Sequence, residues 1–422
     1  MKASGLRWGV VGLIAVATVV NYIDRNALAV MWPKISEEIG ASKEDYALLV
    51  TAFMVAYALG QAAFGKIFDW IGTKLGFAVS IFFWSASIAA HAVAAGLMQF
   101  VGARAGLGFS EAGAWPGATK ANAEWFPVRE RAFAQGIFNA GAALGAIVSA
   151  PLIAVLYGAL GWKTTFLLVG ALGLLWLVPW LALYRSPPRQ AAAPAEAEGG
   201  ETAAADAPAV DIYVPTLRQQ LGHRESWGVI LSRFFIDPVW WLFVSWLPIY
   251  LAETFGFDIK QIGLFGWVPY VGAMIGSLFG GWLSGLLIRL KMPVGLARKL
   301  VITLGGAIML PALIYAARAS DPLTAVLIIA LVLFGFQIAI NNIQTLPGDL
   351  FGGKSVGALA GVSGAAAVAG VLITTWLVPV MTQASYAPIF ILAAAIVPLS
   401  ILSVWLLCGR VEPVRAKVAP KE

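Results

Sequence analysis

Long apolar stretches constrain this chain more than any other feature of its sequence. The first runs from about 8 to 31, and similar stretches follow almost to the C-terminus. A helix needs about 20 mainly apolar residues to cross the hydrocarbon core of a bilayer. The sequence therefore predicts twelve transmembrane helices, at about 8–31, 45–68, 75–94, 98–122, 132–157, 161–184, 226–251, 262–288, 298–318, 321–344, 354–382 and 386–408.

The composition excludes a soluble fold. Hydrophobic residues make up 60% of the chain and charged residues only 12%, whereas soluble domains average about 45–50% and about 25%. The first apolar stretch is too long for a signal-peptide core, and no small-residue cleavage site follows it. We therefore expect an all-α integral membrane protein.

Basic residues are distributed unequally between the two sides of the predicted helices. Twenty Lys and Arg residues lie on the side of the N-terminus and five on the other side. Cytoplasmic loops carry such an excess, so both termini are predicted to be cytoplasmic. The net charge of +6 then reflects these loops, and no nucleic-acid partner is expected.

Few residues could support catalysis or metal binding. A single cysteine, Cys408, and two distant histidines, His91 and His223, exclude a disulfide framework and leave little for a metal site. No nucleophile–base pair or phosphate-binding loop is recognisable. We predict that the protein is not an enzyme and needs no metal or cofactor, and nothing in the sequence requires more than a monomer.

The predicted helices fall into two halves. The stretch from Pro187 to Pro215 is rich in Ala, Pro, Gly and Glu and cannot bury a core. The predicted domains are an N-terminal six-helix bundle (1–186), a partly disordered cytoplasmic linker (187–224), a C-terminal six-helix bundle (225–409) and a cytoplasmic tail (410–422). Similar segments follow spans two and eight, with Asp69 in one and Ser284 in the other. Such internal repeats are typical of secondary transporters, which bind substrate between the repeats.

Ionisable side chains lie well inside predicted spans at Asp24, Arg25, Arg104, Glu111 and Asp237. Each costs roughly 2.5–3.5 kcal/mol at the centre of a membrane helix, so these groups must face one another or an aqueous cavity. Arg25 and Arg104 each lie about 9 Å from the outer end of their span, which predicts a similar depth. Glu111 is two turns deeper, on the same face as Arg104.

These charges suit the coupling of protons to an organic anion. Ionised Asp24 and Glu111 neutralise Arg25 and Arg104, so each proton taken up leaves one positive charge for an anionic substrate. Burial favours a protonated carboxyl group and a nearby cation favours an ionised one. The alternative is a static salt-bridge network that packs spans one and four. Asp237 could equally cap a kink at Pro238.

Further polar and aromatic residues could line a substrate cavity. A hydroxylated substrate needs hydrogen-bond donors and acceptors among apolar walls. For each polar residue the alternative role is hydrogen bonding between helices, and Arg233 is predicted to be an interfacial anchor. The predicted lining residues are Tyr22, Tyr57, Gln61, Asn139, Trp241, Asn341, Asn342, Gln344 and Ser363.

Several motifs resemble those of a known family. The segment 65–74, GKIFDWIGTK, resembles the loop 2–3 signature of the major facilitator superfamily. NYIDR at 21–25, RAGLGFSE at 104–111 and WFPVRERA at 125–132 resemble the anion:cation symporter family. That family includes bacterial sugar-acid transporters and relatives of sialin and the vesicular glutamate transporters. DPVWW at 237–241 is similar to the hexuronate branch.

The resemblance implies roles for particular residues. Asp24 and Glu111 would be protonation sites, Arg104 would anchor the substrate carboxylate, and Arg25 would lie near it. Gly364 stands where the family often has Asn, which leaves the identity of the substrate open. The resemblance also implies a gate at the cytoplasmic face, comprising Gly65, Lys66, Asp69, Gly72, Lys74, Glu130 and Arg131.

The function expected from these observations is proton-coupled import of a hexuronate, such as glucuronate or galacturonate, through the bacterial inner membrane. One alternative is an exchanger or exporter of another organic anion, for example an aldonate such as galactonate. A less favoured alternative is a membrane sensor that does not transport.

Overall fold

A computed structural model describes residues 3–41, 43–185, 215–257, 261, 265–351 and 355–414 of the protein. The described residues form helices and connecting turns without any strand, so the predicted all-α class is confirmed. The linker prediction falls largely on 186–214, outside these residues. The helices are α1 (Ala3–Ile39), α2 (Lys43–Ala90), α3 (Leu97–Glu111), α4 (Ala114–Trp125), α5 (Val128–Leu183), α6 (Leu217–Gln220), α7 (Arg224–Phe255), α8 (Val268–Arg289), α9 (Val294–Ala316), α10 (Pro322–Leu350), α11 (Val356–Met381) and α12 (Ala387–Leu407).

Ten segments of the described chain are long and apolar enough to cross a membrane. From α7 onward, each long helix corresponds to one predicted span. The segment Leu48–Val93 contains predicted spans two and three, and predicted span four is divided between α3 and α4. These merged and divided helices are compatible with twelve transmembrane helices, and that number stays a prediction.

Two of the long helices are interrupted at a glycine. Gly72 in α2 has φ 81° and ψ 168°, and Gly161 in α5 has φ 74° and ψ 170°. These angles lie in a region that is essentially restricted to glycine. Gly72 is part of the segment that resembles a family signature, and its backbone separates the second predicted span from the third.

Replacing Gly72 by Ala is expected to destabilise the protein by about 1–3 kcal/mol, because Ala cannot adopt this backbone conformation without strain. The measurement is the thermal unfolding temperature of the purified protein. Gly102→Ala is the matched control, since Gly102 is helical and a Cβ there would meet no atom within 4 Å. An unchanged unfolding temperature for Gly72→Ala would contradict the prediction.

The buried apolar side chains form two clusters that divide the chain in the middle. One cluster comes from Val10 to Tyr184 and includes Val368, and the other comes mainly from Val229 to Val411. The two halves meet where α2 packs on α11 and where α5 packs on α8. This division agrees with the predicted domains, whose boundaries stay predictions.

The contact between α2 and α11 depends on paired glycines. A Cβ added to Gly65 would lie 2.5 Å from the carbonyl oxygen of Gly357, and a Cβ on Gly357 would lie 2.7 Å from that of Gly65. Any larger residue at either position would push the helices apart. Small residues allow this close approach between membrane helices.

Candidate functional site

A cavity of about 50 Å³ lies between the two halves. A water molecule needs at least about 10–15 Å³, so the cavity has room for a few waters. Aromatic walls with convergent polar groups are typical of a site for a small organic molecule. The lining residues are Tyr22, Tyr57, Gln61, Trp115, Asn139 and Ala142 from the first half and Arg233, Asp237, Trp240, Trp241, Phe336, Gln337, Ile340, Gln344, Gly364 and Val368 from the second.

The structure brings most of the predicted lining residues to this cavity and leaves three away from it. Asn342 donates hydrogen bonds to the backbone oxygens of Ile338 and Gly280, at 3.0 and 3.4 Å. Ser363 donates to the backbone oxygen of Ala360 at 2.9 Å. Asn342 therefore bonds to a neighbouring helix, which is the alternative role, and Ser363 bonds within its own helix. The predicted residues on the cavity wall are Tyr22, Tyr57, Gln61, Asn139, Trp241 and Gln344.

Side-chain amides connect α5 to α10 beside the cavity. The Asn139 amide donates to Asn341 Oδ1 at 2.6 Å and to Gln344 Oε1 at 2.8 Å. Gln135 also donates to Gln344 Oε1, at 2.8 Å. Asn341, predicted to bind substrate, instead bonds Asn139 and donates to the backbone oxygen of Ser277. Gln135 was absent from the prediction, although it is four residues before Asn139 and so shares its helix face.

Arg25 and Glu111 form a buried ion pair between α1 and α3. Arg25 Nε and Nη2 donate to Glu111 Oε2 at 3.2 and 3.0 Å. Arg104 Nη2 donates to the backbone oxygen of Arg25 at 3.4 Å, so the two arginines are neighbours, and their similar depth in the membrane stays a prediction. Glu111 therefore pairs with the arginine of the neighbouring helix and not with Arg104 on its own helix.

Several polar atoms of this network have no hydrogen-bond partner in the described structure. They include both carboxylate oxygens of Asp24, Nη1 of Arg25, Nε and Nη1 of Arg104, and Oε1 of Glu111. The four side chains are 0–7% exposed. Unsatisfied buried groups are rare and cost about 1–3 kcal/mol each, more when charged. The carboxylate oxygens among them can accept a proton, and the guanidinium nitrogens can donate to water or an anion.

A layer of aromatic rings separates this network from the cavity. The guanidinium carbon of Arg25 lies 5.1 Å from the ring centres of Tyr22 and Tyr57 and 5.4 Å from that of Trp241. These three rings also line the cavity. Arg104 lies behind Arg25, with its guanidinium 5.1 Å from the ring centre of Phe53. Arg104 is not among the described residues that line the cavity, and its predicted role as the carboxylate anchor stays a prediction.

The structure overturns the prediction for Arg233. This side chain is 7% exposed, lines the cavity, and donates from Nη2 to Asp237 Oδ2 at 2.6 Å. It is therefore a cavity residue and not an interfacial anchor. Asp237 therefore pairs with Arg233, and a capping role at Pro238 stays a prediction. The spacing of four residues, which places both side chains on one helix face, was the signal in the sequence.

Asp69 connects the halves at the end of the helices predicted to be cytoplasmic. Its carboxylate accepts from Lys120 Nζ at 2.9 Å and from the backbone N–H groups of Gly357 and Ala358 at 3.1 and 2.7 Å. These two N–H groups belong to the first turn of α11, where a negative charge is favoured by the helix dipole. Asp69 thus binds the end of a helix in the opposite half.

A second set of charges connects the halves around Asp349. Arg131 Nη1 donates to Asp349 Oδ1 at 2.9 Å, and Arg298 Nε donates to Asp349 Oδ2 at 2.9 Å. Arg298 also donates to Ser284 Oγ at 2.7 Å and to the backbone oxygen of Val128 at 2.6 Å. The sequence identified Arg131 but missed Asp349 and Arg298, whose positions near predicted span ends resemble ordinary interfacial charges.

The other predicted gate residues lie elsewhere. Glu130 pairs with Arg7 at 2.8 Å, which is a contact within the first half. Lys66 is exposed and Lys74 is half-buried. Of the predicted gate residues, those that contact the opposite half in the described structure are Gly65, Asp69 and Arg131.

Comparisons with known proteins give the same architecture. A model of the Major Facilitator Superfamily matches residues 14–362. The hexuronate transporter of Escherichia coli (strain K12) is 31% identical over 412 residues, which cover 96% of this chain and 94% of that protein. A D-galactonate transporter of Escherichia coli O6:H1 is 30% identical over 413 residues, covering 95% of each chain. The crystal structure of a superfamily transporter, FucP, in the outward conformation matches 94% of this chain and 98% of its own, with a TM-score of 0.70 at 15% identity.

Proposed function

We propose that this chain, which belongs to the Major Facilitator Superfamily, imports a sugar acid together with one or more protons. Its relatives are membrane transporters and not enzymes, and the chain is a multi-pass membrane protein of this kind. Within that family we favour a hexuronate as substrate and the bacterial inner membrane as the location. The observation that carries the proposal is the buried network of Asp24, Arg25, Arg104 and Glu111, one aromatic layer from a polar cavity.

Proton coupling follows from the charge balance of this network. Glu111 binds Arg25 through one oxygen, and both oxygens of Asp24 lack a partner. A proton added to Glu111 weakens its hold on Arg25, which then carries an uncompensated positive charge towards the cavity. An anionic substrate restores neutrality, so protonation and substrate binding favour one another.

Alternating access accounts for the contacts between the halves. A cavity of about 50 Å³ is too small for a hexuronate, so the halves must separate to admit it. At the predicted cytoplasmic end they are joined by ion pairs and by Asp69 on the α11 terminus. These contacts can break and re-form as one half rocks against the other.

Exchange or export of an aldonate is the second candidate. Gly364 lines the cavity at a position where the anion:cation symporter family often has Asn. The contacts with the sugar hydroxyls therefore differ from those of that family. The similarity to a D-galactonate transporter supports this alternative.

Uptake into proteoliposomes tests the proposal. Labelled glucuronate or galacturonate is expected to accumulate inside when an inward proton gradient is imposed. For a gradient of one pH unit, the ratio of inside to outside concentration should rise about tenfold for each coupled proton. Protein-free liposomes and a protonophore are the controls. Absence of saturable uptake would exclude a hexuronate substrate. Uptake that is insensitive to the gradient but stimulated by internal galactonate would favour the exchanger.

A further inference from the structure

We propose that Arg233 binds the carboxylate of the substrate in the central cavity, and that Asp237 holds Arg233 only while the cavity is empty. The inference rests on the proposed function, because it requires an organic anion to enter this cavity. It assigns the carboxylate to the second half of the molecule, whereas the resemblance implies Arg104 in the first half.

The pair is incompletely satisfied. Arg233 donates from Nη2 to Asp237 Oδ2 at 2.6 Å, while Arg233 Nε and Asp237 Oδ1 are buried without a partner in the described structure. A guanidinium offers five N–H donors in a planar fork, and a carboxylate engages two of them at once. Arg233 therefore has donor capacity for a second anion that Asp237 does not use.

Arg233 is also the arginine that reaches the cavity. Among the described lining residues, the charged side chains are Arg233 and Asp237. Arg25 lies behind the aromatic layer and already binds Glu111 through two nitrogens. Arg104 lies farther away, against the backbone of Arg25. A carboxylate in the cavity thus meets Arg233 before either arginine of the first half.

Gly364 allows the Gln61 side chain to lie beside Arg233. A Cβ at position 364 would collide with the side-chain amide of Gln61 and lie 3.3 Å from Arg233 Nη1. Gln61 Oε1 is buried without a partner, and Gln61 belongs to the opposite half. A sugar acid that bonds Arg233 with its carboxylate and Gln61 with a hydroxyl would bridge the two halves at this point.

Asp237 then acts as an internal competitor. Its carboxylate has the same chemistry as the group that the substrate presents, and it already lies on Arg233. Binding requires the substrate to displace Asp237, so removal of this charge should tighten the binding of an anion. A variant that gains affinity cannot be explained by misfolding.

Calorimetric titration of the purified full-length protein with glucuronate and with the neutral glucuronamide tests the inference. Arg233→Gln is expected to weaken glucuronate binding by about 10- to 100-fold, the range for hydrogen bonds to a charged group, and to leave glucuronamide binding unchanged. Asp237→Asn is expected to tighten glucuronate binding several-fold. Arg289→Gln, at the exposed end of α8, is the matched control and should behave as wild type.

The outcomes separate this inference from the proposed function. If wild type binds glucuronate and Arg233→Gln retains the wild-type affinity or loses both ligands equally, the carboxylate role of Arg233 is wrong while the proposed function stands. A selective loss of glucuronate in Arg104→Gln, with none in Arg233→Gln, would place the carboxylate in the first half. If wild type binds neither glucuronate nor galacturonate, both proposals fail.

Discussion

Replacing Glu111 by Gln is expected to abolish proton-driven accumulation of the sugar acid while exchange of substrate across the membrane continues. Gln cannot take up and release a proton, yet its amide oxygen can still accept a hydrogen bond from Arg25. The loaded carrier can therefore change conformation, but it no longer transports a proton with its substrate. With a proton gradient of one pH unit, the variant should lose a concentration ratio of about tenfold for each proton that Glu111 couples.

The measurement compares gradient-driven uptake with counterflow in the same proteoliposomes. Glu37→Gln is the matched control, because Glu37 is an exposed carboxylate paired with Lys34 at the end of α1. This control should accumulate substrate as wild type does. Accumulation that survives Glu111→Gln would remove Glu111 from the coupling mechanism, and loss of both uptake and counterflow would favour the static salt-bridge alternative.

Replacing Asp349 by Asn is expected to have the largest effect on stability. Asp349 accepts from Arg131 in one half and from Arg298 in the other, and Arg298 is fully buried. Removing one partner of a buried pair leaves an uncompensated charge, which typically costs about 3–5 kcal/mol. Because Arg131 reaches across the interface, we also expect the halves to separate more readily at the predicted cytoplasmic end.

Two measurements check these expectations. The first is the thermal unfolding temperature of the purified protein. The second is maleimide labelling of Gln337→Cys, a cavity position, in a Cys408→Ser background and in inside-out vesicles. Asp321→Asn is the matched control at the other end of α10, where Asn caps a helix as well as Asp does. An unchanged unfolding temperature and an unchanged rate of labelling in Asp349→Asn would contradict the proposed role of Asp349 in holding the halves together.

Part of the candidate site could be predicted from the sequence because charges inside a membrane helix are costly. Asp24, Arg25, Arg104 and Glu111 are conspicuous in apolar spans, and each proves to be buried. Amides are conspicuous for the same reason, but their polarity does not indicate their partner. Asn139 faces the cavity and Asn342 bonds backbone oxygens within and between helices, although both are side-chain amides in apolar helices.

The sequence by itself determined the fold class, the main spans and some of the buried charges, at Asp24, Arg25, Arg104, Glu111 and Asp237. In lipid every backbone polar group must be satisfied within the protein, so long apolar stretches can only become helices. The tertiary structure decided the partners: Glu111 with Arg25, Arg233 in the cavity, and Asp349 between two arginines. Helical periodicity determines which residues share a face of one helix, whereas a partner in another helix depends on the rotation, tilt and depth of both. Those quantities follow from packing over the whole molecule, which no local pattern specifies.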